Sequence, residues 1–216
     1  MKKLLVLLIS VLLSANLFSQ DNCRIKSYSI PEESVREVKA NTVNGNITVN
    51  GNAISEVIVE MCVSQNNKRQ NNKEQNVEIW QMLEELYTID IRIEGGKLYA
   101  VAKRKDEKNS KELNISFKIS VPQKIDGDLR TINGSLKVEN VSGKIVGNTV
   151  NGSIDVSNAD TDIVMKTVNG NITAKDCNGK IVLNTVNGNV NTSKMKGDIS
   201  ATTVNGKVNG KSPRFW

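Results

Sequence analysis

The tetrad Thr-(Val/Ile)-Asn-Gly recurs at Thr131, Thr149, Thr167, Thr185 and Thr203, every 18 residues and without slippage. A fixed internal period of this kind marks repeat architectures, in which each unit buries its apolar face against its neighbour. A half-period is also present. From Arg130 to Gly210 the chain divides into nine consecutive nonapeptides, beginning RTINGSLKV and ENVSGKIVG. The third position is always apolar: Ile132, Val141, Val150, Ala159, Val168, Cys177, Val186, Met195 and Val204. So is the seventh, from Leu136 through Ile145 and Ile172 to Val208. The fifth is Gly in every unit but one, where Thr161 replaces it.

Alternation with a period of two across β-branched residues is the pattern of a half-buried strand. Gly beside Asn reads as the corner, since both tolerate positive φ. One nonapeptide buries too few side chains to offset its ordering entropy, whereas stacked units share a core. Two nonapeptides per coil would bring every Thr-Val-Asn-Gly to the same corner, with coils about 4.8 Å apart. Asn133, Asn151, Asn169, Asn187 and Asn205 would then form a structural amide ladder. Thr131, Thr149, Thr167, Thr185 and Thr203 would form an exposed ladder beside it. The rival arrangement is an antiparallel meander, because Asn-Gly is also a strong hairpin signal. The uninterrupted 18-residue identity favours like stacking on like.

The first half is a looser version. Thr42-Val43-Asn44-Gly45, followed by Ile47 and Val49, is a complete repeat unit. Val57, Val59, Met61 and Val63 alternate as a strand, as do Leu113, Ile115, Phe117, Ile119 and Val121 before Pro122. Ser64 to Gln75 lacks apolar residues and reads as a surface loop. Ile79, Met82, Leu83 and Leu86 have helical spacing and predict one short amphipathic insert over Val77 to Leu86. Ile89, Ile91 and Ile93 resume the strand pattern, and Gly95-Gly96 turns it.

The repeated Thr-Val-Asn-Gly-X-Ile, the strand into Val121-Pro122 and the early unit at Thr42 to Val49 resemble the bacterial putative-adhesin family of β-strand-repeat domains of unknown function. They are similar also to head domains of autotransporter-type adhesins. The resemblance covers roughly Val35 to Gly210. It implies an all-β, right-handed β-helix-like solenoid on an exported protein, and little about activity.

The amino terminus supports export. Lys2 and Lys3 precede the apolar run Leu4 to Leu13, then Ser14, Ala15 and a polar exit at Ser19-Gln20, the pattern of a secretory signal peptide. The expected organisation is a signal over 1–19 and one domain over 20–216, with regular repeats at 130–210. The segment before Cys23, Gln20-Asp21-Asn22, lacks the small and apolar residues of a lipoprotein signal. No later stretch is apolar enough to span a membrane. The formal charge is +6, of which the signal lysines carry two. The remaining cations are interspersed with acids, and the one dense run, Lys103 to Lys105, meets Asp106 and Glu107. That pattern reads as a solvated loop and argues against nucleic acid. Three cysteines match no zinc or redox spacing. Cys177 occupies a core column, which leaves Cys23 with Cys62 as the one pair to consider.

The chain has no histidine, which removes the commonest general base and metal ligand. Among the repeat acids only Asp160 and Asp162 are close in sequence, in the unit that lost its Gly. The column after Gly holds Lys144, Lys180 and Lys207, unlike calcium-binding nonapeptides. Trp80 with Tyr87, and Phe215-Trp216, are the aromatic pairs, read as hydrophobic caps. No catalytic, metal or cofactor site is expected. The leading expectation is a non-enzymatic interaction module outside the cytoplasm, an adhesin or envelope scaffold with a cell-surface or envelope partner. The alternatives are a self-assembling structural element, a polysaccharide-active β-helix enzyme and an ice-binding solenoid using the Thr ladder.

Overall fold

The computed structural model describes residues 23–31, 35–54, 56–65, 73–106 and 112–210. The expected signal segment and Phe215-Trp216 lie outside them. Among the described residues the protein is all-β with one helix, and its strands form two sheets. In chain order the elements are β1 (Arg24–Pro31), β2 (Glu37–Asn41), β3 (Ile47–Asn52), β4 (Glu56–Gln65), α1 (Lys73–Leu86), β5 (Tyr87–Glu94), β6 (Lys97–Arg104) and β7 (Leu113–Pro122). The repeats then supply β8 (Asp126–Arg130), β9 (Leu136–Glu139), β10 (Ile145–Asn148), β11 (Ile154–Asp160), β12 (Ile163–Lys166), β13 (Ile172–Asn178), β14 (Ile181–Thr185), β15 (Val190–Ser193), β16 (Ile199–Thr203) and β17 (Val208–Gly210).

From β8 onward, successive strands alternate between the sheets. One sheet runs β1-β4-β7-β3-β9-β11-β13-β15-β17 and the other β16-β14-β12-β10-β8-β2-β6-β5. Each repeat strand pairs in parallel with the strand 18 residues on, as in Ile154↔Ile172, Ile172↔Val190 and Ile163↔Ile181. The repeats are therefore not an antiparallel meander. Identical columns lie over one another because the register equals the sequence period. The seventh-position residues Leu136, Ile145, Ile154, Ile163, Ile172, Ile181 and Val190 are all buried. The sheets share this core. A Cβ placed on Gly147 of β10 would lie 3.1 Å from Leu136 Cδ1 of β9.

The early unit joins the stack although it lies far back in sequence. Strand β2 pairs with β8 and β3 with β9, both in parallel. Beyond it, β6 and β7 form another layer, parallel to β2 and β3. The direction then reverses: β5 is antiparallel to β6, and β4 to β7 and β1. Gly95 and Gly96, with φ of 61° and 78°, make the two-residue turn that such hairpins need. Helix α1 starts at Lys73, earlier than expected, so the last residues of the supposed loop are helical. Its buried stripe is Ile79, Met82, Leu83 and Leu86. Lys105 closes the helix, its backbone N–H donating to the Leu86 carbonyl at 2.9 Å and its Nζ to the Glu84 carbonyl at 2.6 Å. These are the carbonyls a helix end leaves unpaired, and the cation suits the dipole there. The Lys103–Lys105 run is thus the end of β6 and a helix stop, not a free loop. Cys23 and Cys62 form a disulfide that ties β1 to β4.

The corner glycines are required by closeness. A Cβ on Gly170 would lie 2.1 Å from the Gly152 carbonyl oxygen, and one on Gly188 2.0 Å from that of Gly170. Among the tetrad glycines only Gly45 has a positive φ, of 147°; elsewhere in the repeats positive φ falls on Gly179 and Gly197 (126° and 88°) and on Asn140, Asn158, Asp176 and Lys194, 18 residues apart. Asn and Asp tolerate that conformation and Lys does so poorly. Gly170→Ala is expected to cost about 2–3 kcal/mol, as overpacking against backbone that cannot yield. Gly95→Ala meets no atom within 4 Å and should cost only about 1 kcal/mol, from its left-handed φ. Urea denaturation of the two variants reads the difference.

Candidate interaction surface

The Thr-Val-Asn-Gly corner is the most regular surface of the molecule, and each of its residues has a separate duty. Thr131, Thr149, Thr167 and Thr185 are buried, with 4–5% of their surface exposed. The exposed Thr ladder read from the sequence is therefore corrected, although Thr203 in the last layer is part-exposed. Each hydroxyl turns inward and donates to the Gly carbonyl of the previous layer. Thr131 reaches Gly45, Thr149 Gly134, Thr167 Gly152, Thr185 Gly170 and Thr203 Gly188, at 2.8–2.9 Å. The cause is physical. The Gly contact brings carbonyl oxygens inside the stack, and a buried carbonyl without a donor is costly. The ice-binding alternative needed outward threonines and falls with the correction.

With Thr inward, the next residue must point outward. Ile132, Val150, Val168, Val186 and Val204 are 45%, 39%, 39%, 37% and 73% exposed. Half of the third column therefore leaves the core, while its other half, Val141, Ala159, Cys177 and Met195, stays buried. The backbone carbonyls of Ile132, Val150, Val168 and Val186 each accept from the Asn N–H one layer on, as in Asn169 to Val150 at 2.7 Å.

The asparagines line up beside this apolar row. Nδ2 of Asn133 donates to Oδ1 of Asn44, Asn151 to Asn133, Asn169 to Asn151, Asn187 to Asn169 and Asn205 to Asn187, at 2.7–2.8 Å. All donors point the same way. At the leading end Asn44 Nδ2 meets Glu112 Oε2 at 3.1 Å, and Glu112 Oε1 pairs with Arg104 at 3.1 Å. A carboxylate thus closes the positive end of an aligned row of amides, in the electrostatic sense of an acid at a helix N-terminus. Sequence reasoning did not single out Glu112 or Arg104. Neither belongs to the repeat, and folding of the insert brings them there.

The opposite corner forms an open groove of about 590 Å³ that includes Asn140, Asn158, Asp176, Cys177, Lys194 and Lys196. Its acids are engaged in the stack. Asp160 accepts from Asn178 Nδ2 at 2.7 Å, and nearby Asp162 accepts from the Lys180 N–H at 3.1 Å. Among the described residues no group of three or more metal-ligating side chains converges. Cys177 is a buried free thiol whose pKa burial pushes up, against the lowering effect of backbone hydrogen bonds at Ala159 and Lys175. No described helix is long and apolar enough to cross a membrane.

No protein-family model matches the sequence, and no curated protein matches it. Solved structures do. A putative cell adhesion protein from Clostridium sporogenes aligns with a TM-score of 0.48 and 9% identity, over 87% of this chain and 98% of that one. A putative adhesin from Bacteroides fragilis aligns at 0.37 and 12%, over 89% and 98%. A putative lipid binding protein from Parabacteroides distasonis aligns at 0.30 and 11%, over 88% and 94%. The structural neighbours are thus mostly described as adhesins, the description carried by the family that the repeat resembles.

Two outcomes follow from this geometry. Thr167→Val keeps the shape but strips the donor from a buried carbonyl, and chemical denaturation should show a loss of about 1–3 kcal/mol. Cys177 should resist thiol reagents at neutral pH in the native protein and react at once in denaturant. Its raised folded pKa means the neutral thiol's contribution is complete below the ordinary thiol range, about 8.5. That contribution is lost as pH rises through the folded value. Stability should therefore fall on the alkaline side, and Cys177→Ala should remove that part of the fall.

Proposed function

We propose that this chain is an exported, non-enzymatic β-solenoid that binds its partner through the Thr-Val-Asn-Gly corner, as an adhesin or envelope scaffold. The observation that carries the reading is the outward row Ile132, Val150, Val168, Val186 and Val204. A β-branched side chain repeated in one direction on every layer, beside an amide ladder, is a flat apolar strip with polar flanks. Contiguous exposed apolar surface of this kind marks interaction sites. The 18-residue parallel register supports the solenoid, with two strands and two corners to each coil. The Cys23–Cys62 bond supports an oxidising compartment, and so does the signal-like amino terminus. A solenoid that carries its strip on stacked backbone presents it rigidly, which lowers the ordering cost of binding.

A second reading, self-assembly, has one observation in its favour. Among the described residues β17 ends its sheet with all three residues exposed, and an open strand edge is a template for pairing. Sedimentation showing one monomeric species at high concentration excludes that reading.

The test of the main reading begins with a non-penetrating protease applied to intact cells carrying a tagged chain. Digestion is expected if the protein acts as an adhesin. Protection until the outer membrane is opened leaves only the envelope scaffold. The joint variant Val150→Ser, Val168→Ser, Val186→Ser should then lower binding to cells or envelope fractions at least tenfold. Each substitution lies on the surface and should move stability by about 0.5 kcal/mol or less. Unchanged binding by a folded triple variant overturns the assignment of the strip.

A further inference from the structure

Six near-identical Thr-(Val/Ile)-Asn-Gly corners form a chemical series with one variable, position in the stack. Asn followed by Gly is the sequence most prone to lose its side-chain amide. The backbone nitrogen of Gly attacks the Asn Cγ, a five-membered imide forms, and ammonia leaves with the nitrogen of the side chain. Water then opens the imide at either carbonyl to give aspartate or isoaspartate. The net change is one water consumed and one ammonia released, and no oxidant or reductant takes part. Two things block it: an amide held so that Cγ cannot swing towards the next nitrogen, and a Gly N–H already committed to an acceptor.

Both blocks are present in the interior of the stack. The Asn151 and Asn169 side chains each donate to the layer before and accept from the layer after. The Gly152 N–H donates to the Asn169 carbonyl and the Gly170 N–H to that of Asn187, both at 3.1 Å. Both are incomplete at the last corner. Asn205 donates to Asn187 Oδ1 at 2.8 Å, but no described residue donates to its own Oδ1. The Gly206 N–H has no acceptor among the described residues, and Asn205 and Gly206 are exposed. Asn187-Gly188 is intermediate. Its amide is held on both sides, yet the Gly188 N–H lacks the bond to the next Asn carbonyl that its four predecessors make.

We infer that Asn205-Gly206 is a site of spontaneous deamidation, and that amide loss proceeds inward along the ladder from this end. Conversion of Asn205 puts a carboxylate against Asn187 Oδ1, where two acceptors face each other and no donor remains. That frees the Asn187 amide and makes it the next terminal member. The far end is held by Glu112, which accepts from Asn44. The stack therefore ages from its open end, and the outward strip shortens one layer at a time. The inference rests on the layered hydrogen bonding and is independent of what the strip binds.

The test incubates the intact protein for weeks in mildly alkaline buffer at physiological temperature, then digests it with trypsin and reads each site by mass. Lysines separate the sites, placing Asn205 in 197–207, Asn187 in 181–194 and Asn169 in 167–175. The amide in 197–207 should be lost at least tenfold faster than that in 167–175, with 181–194 between them. In denaturant the three rates should converge, since the tetrads are the same. In Asn205→Asp, conversion at Asn187 should accelerate while Asn169 stays protected. Equal rates at Asn205 and Asn169 in the native protein overturn the inference. So does a difference between them that persists in denaturant, or an Asn187 rate unchanged by Asn205→Asp.

Discussion

The structure depends on one contact, the approach of each corner Gly to the Gly carbonyl of the layer before it. No side chain fits in that space, so the corner stacks backbone directly on backbone. The contact places a carbonyl oxygen inside the stack, away from water. Thr supplies its donor from a short, stiff, β-branched side chain that already suits the bend. Once Thr faces inward, the pleat sends the next side chain out, and the following Asn falls into line with its own images. The tetrad is therefore one structural device: Gly makes the contact, Thr satisfies what the contact buries, and Asn ties the layers along the edge. The outward Val is the only member left without a structural obligation, which is why the row of valines is the place to look for function.

Much of this was legible in the sequence, and what was not has a definite cause. The 18-residue period fixes which residues stack, because identical columns can align only when register equals period. The asparagine chain follows from that alignment, as does the buried face of α1 from the spacing of Ile79, Met82, Leu83 and Leu86. The direction of the corner side chains was misread because hydropathy places Val inside and Thr outside. That rule weighs side chains and omits the buried Gly carbonyl, whose unmet hydrogen bond outweighs the exposure of one β-branched residue. The attribution of corner Gly to positive φ holds at Gly45, Gly179 and Gly197 but not at the tetrad glycines from Gly134 on, where close backbone approach is the reason for Gly. The non-Gly left-handed residues lie at the other corner, at Asn140, Asn158 and Asp176, where the residue types do suit the conformation, and at Lys194, where they do not. Glu112 and Arg104 were invisible, since their place beside Asn44 depends on β6 and β7, distant in sequence, layering onto β2 and β3.

The two ends of the stack differ in kind. At one, the chain reverses into the antiparallel strands β5, β4 and β1, lays α1 over them and fastens β1 to β4 with a disulfide. There the amide row meets a carboxylate that is itself paired to a guanidinium. At the other, β16 and β17 follow the repeat pattern to the last described residue, and no described layer bonds to them beyond. Interactions between nearest layers dominate stability in stacked repeats, so a layer with one neighbour is held by about half the contacts of an interior one.

That asymmetry bears on where binding can be rigid. The outward strip runs the length of the regular repeats, but its members are not equivalent. Val150, Val168 and Val186 each sit between complete layers, with their carbonyls and both flanking amides engaged. Val204 is the most exposed member and the least supported, since no described residue bonds to its carbonyl. Exposure alone would rank it first as a contact residue. Preorganisation ranks it last, since a side chain on a fraying corner must be ordered at the moment of binding and an interior one need not be. The central layers therefore hold the strip in place, and the number of them sets how long a contact the chain can offer.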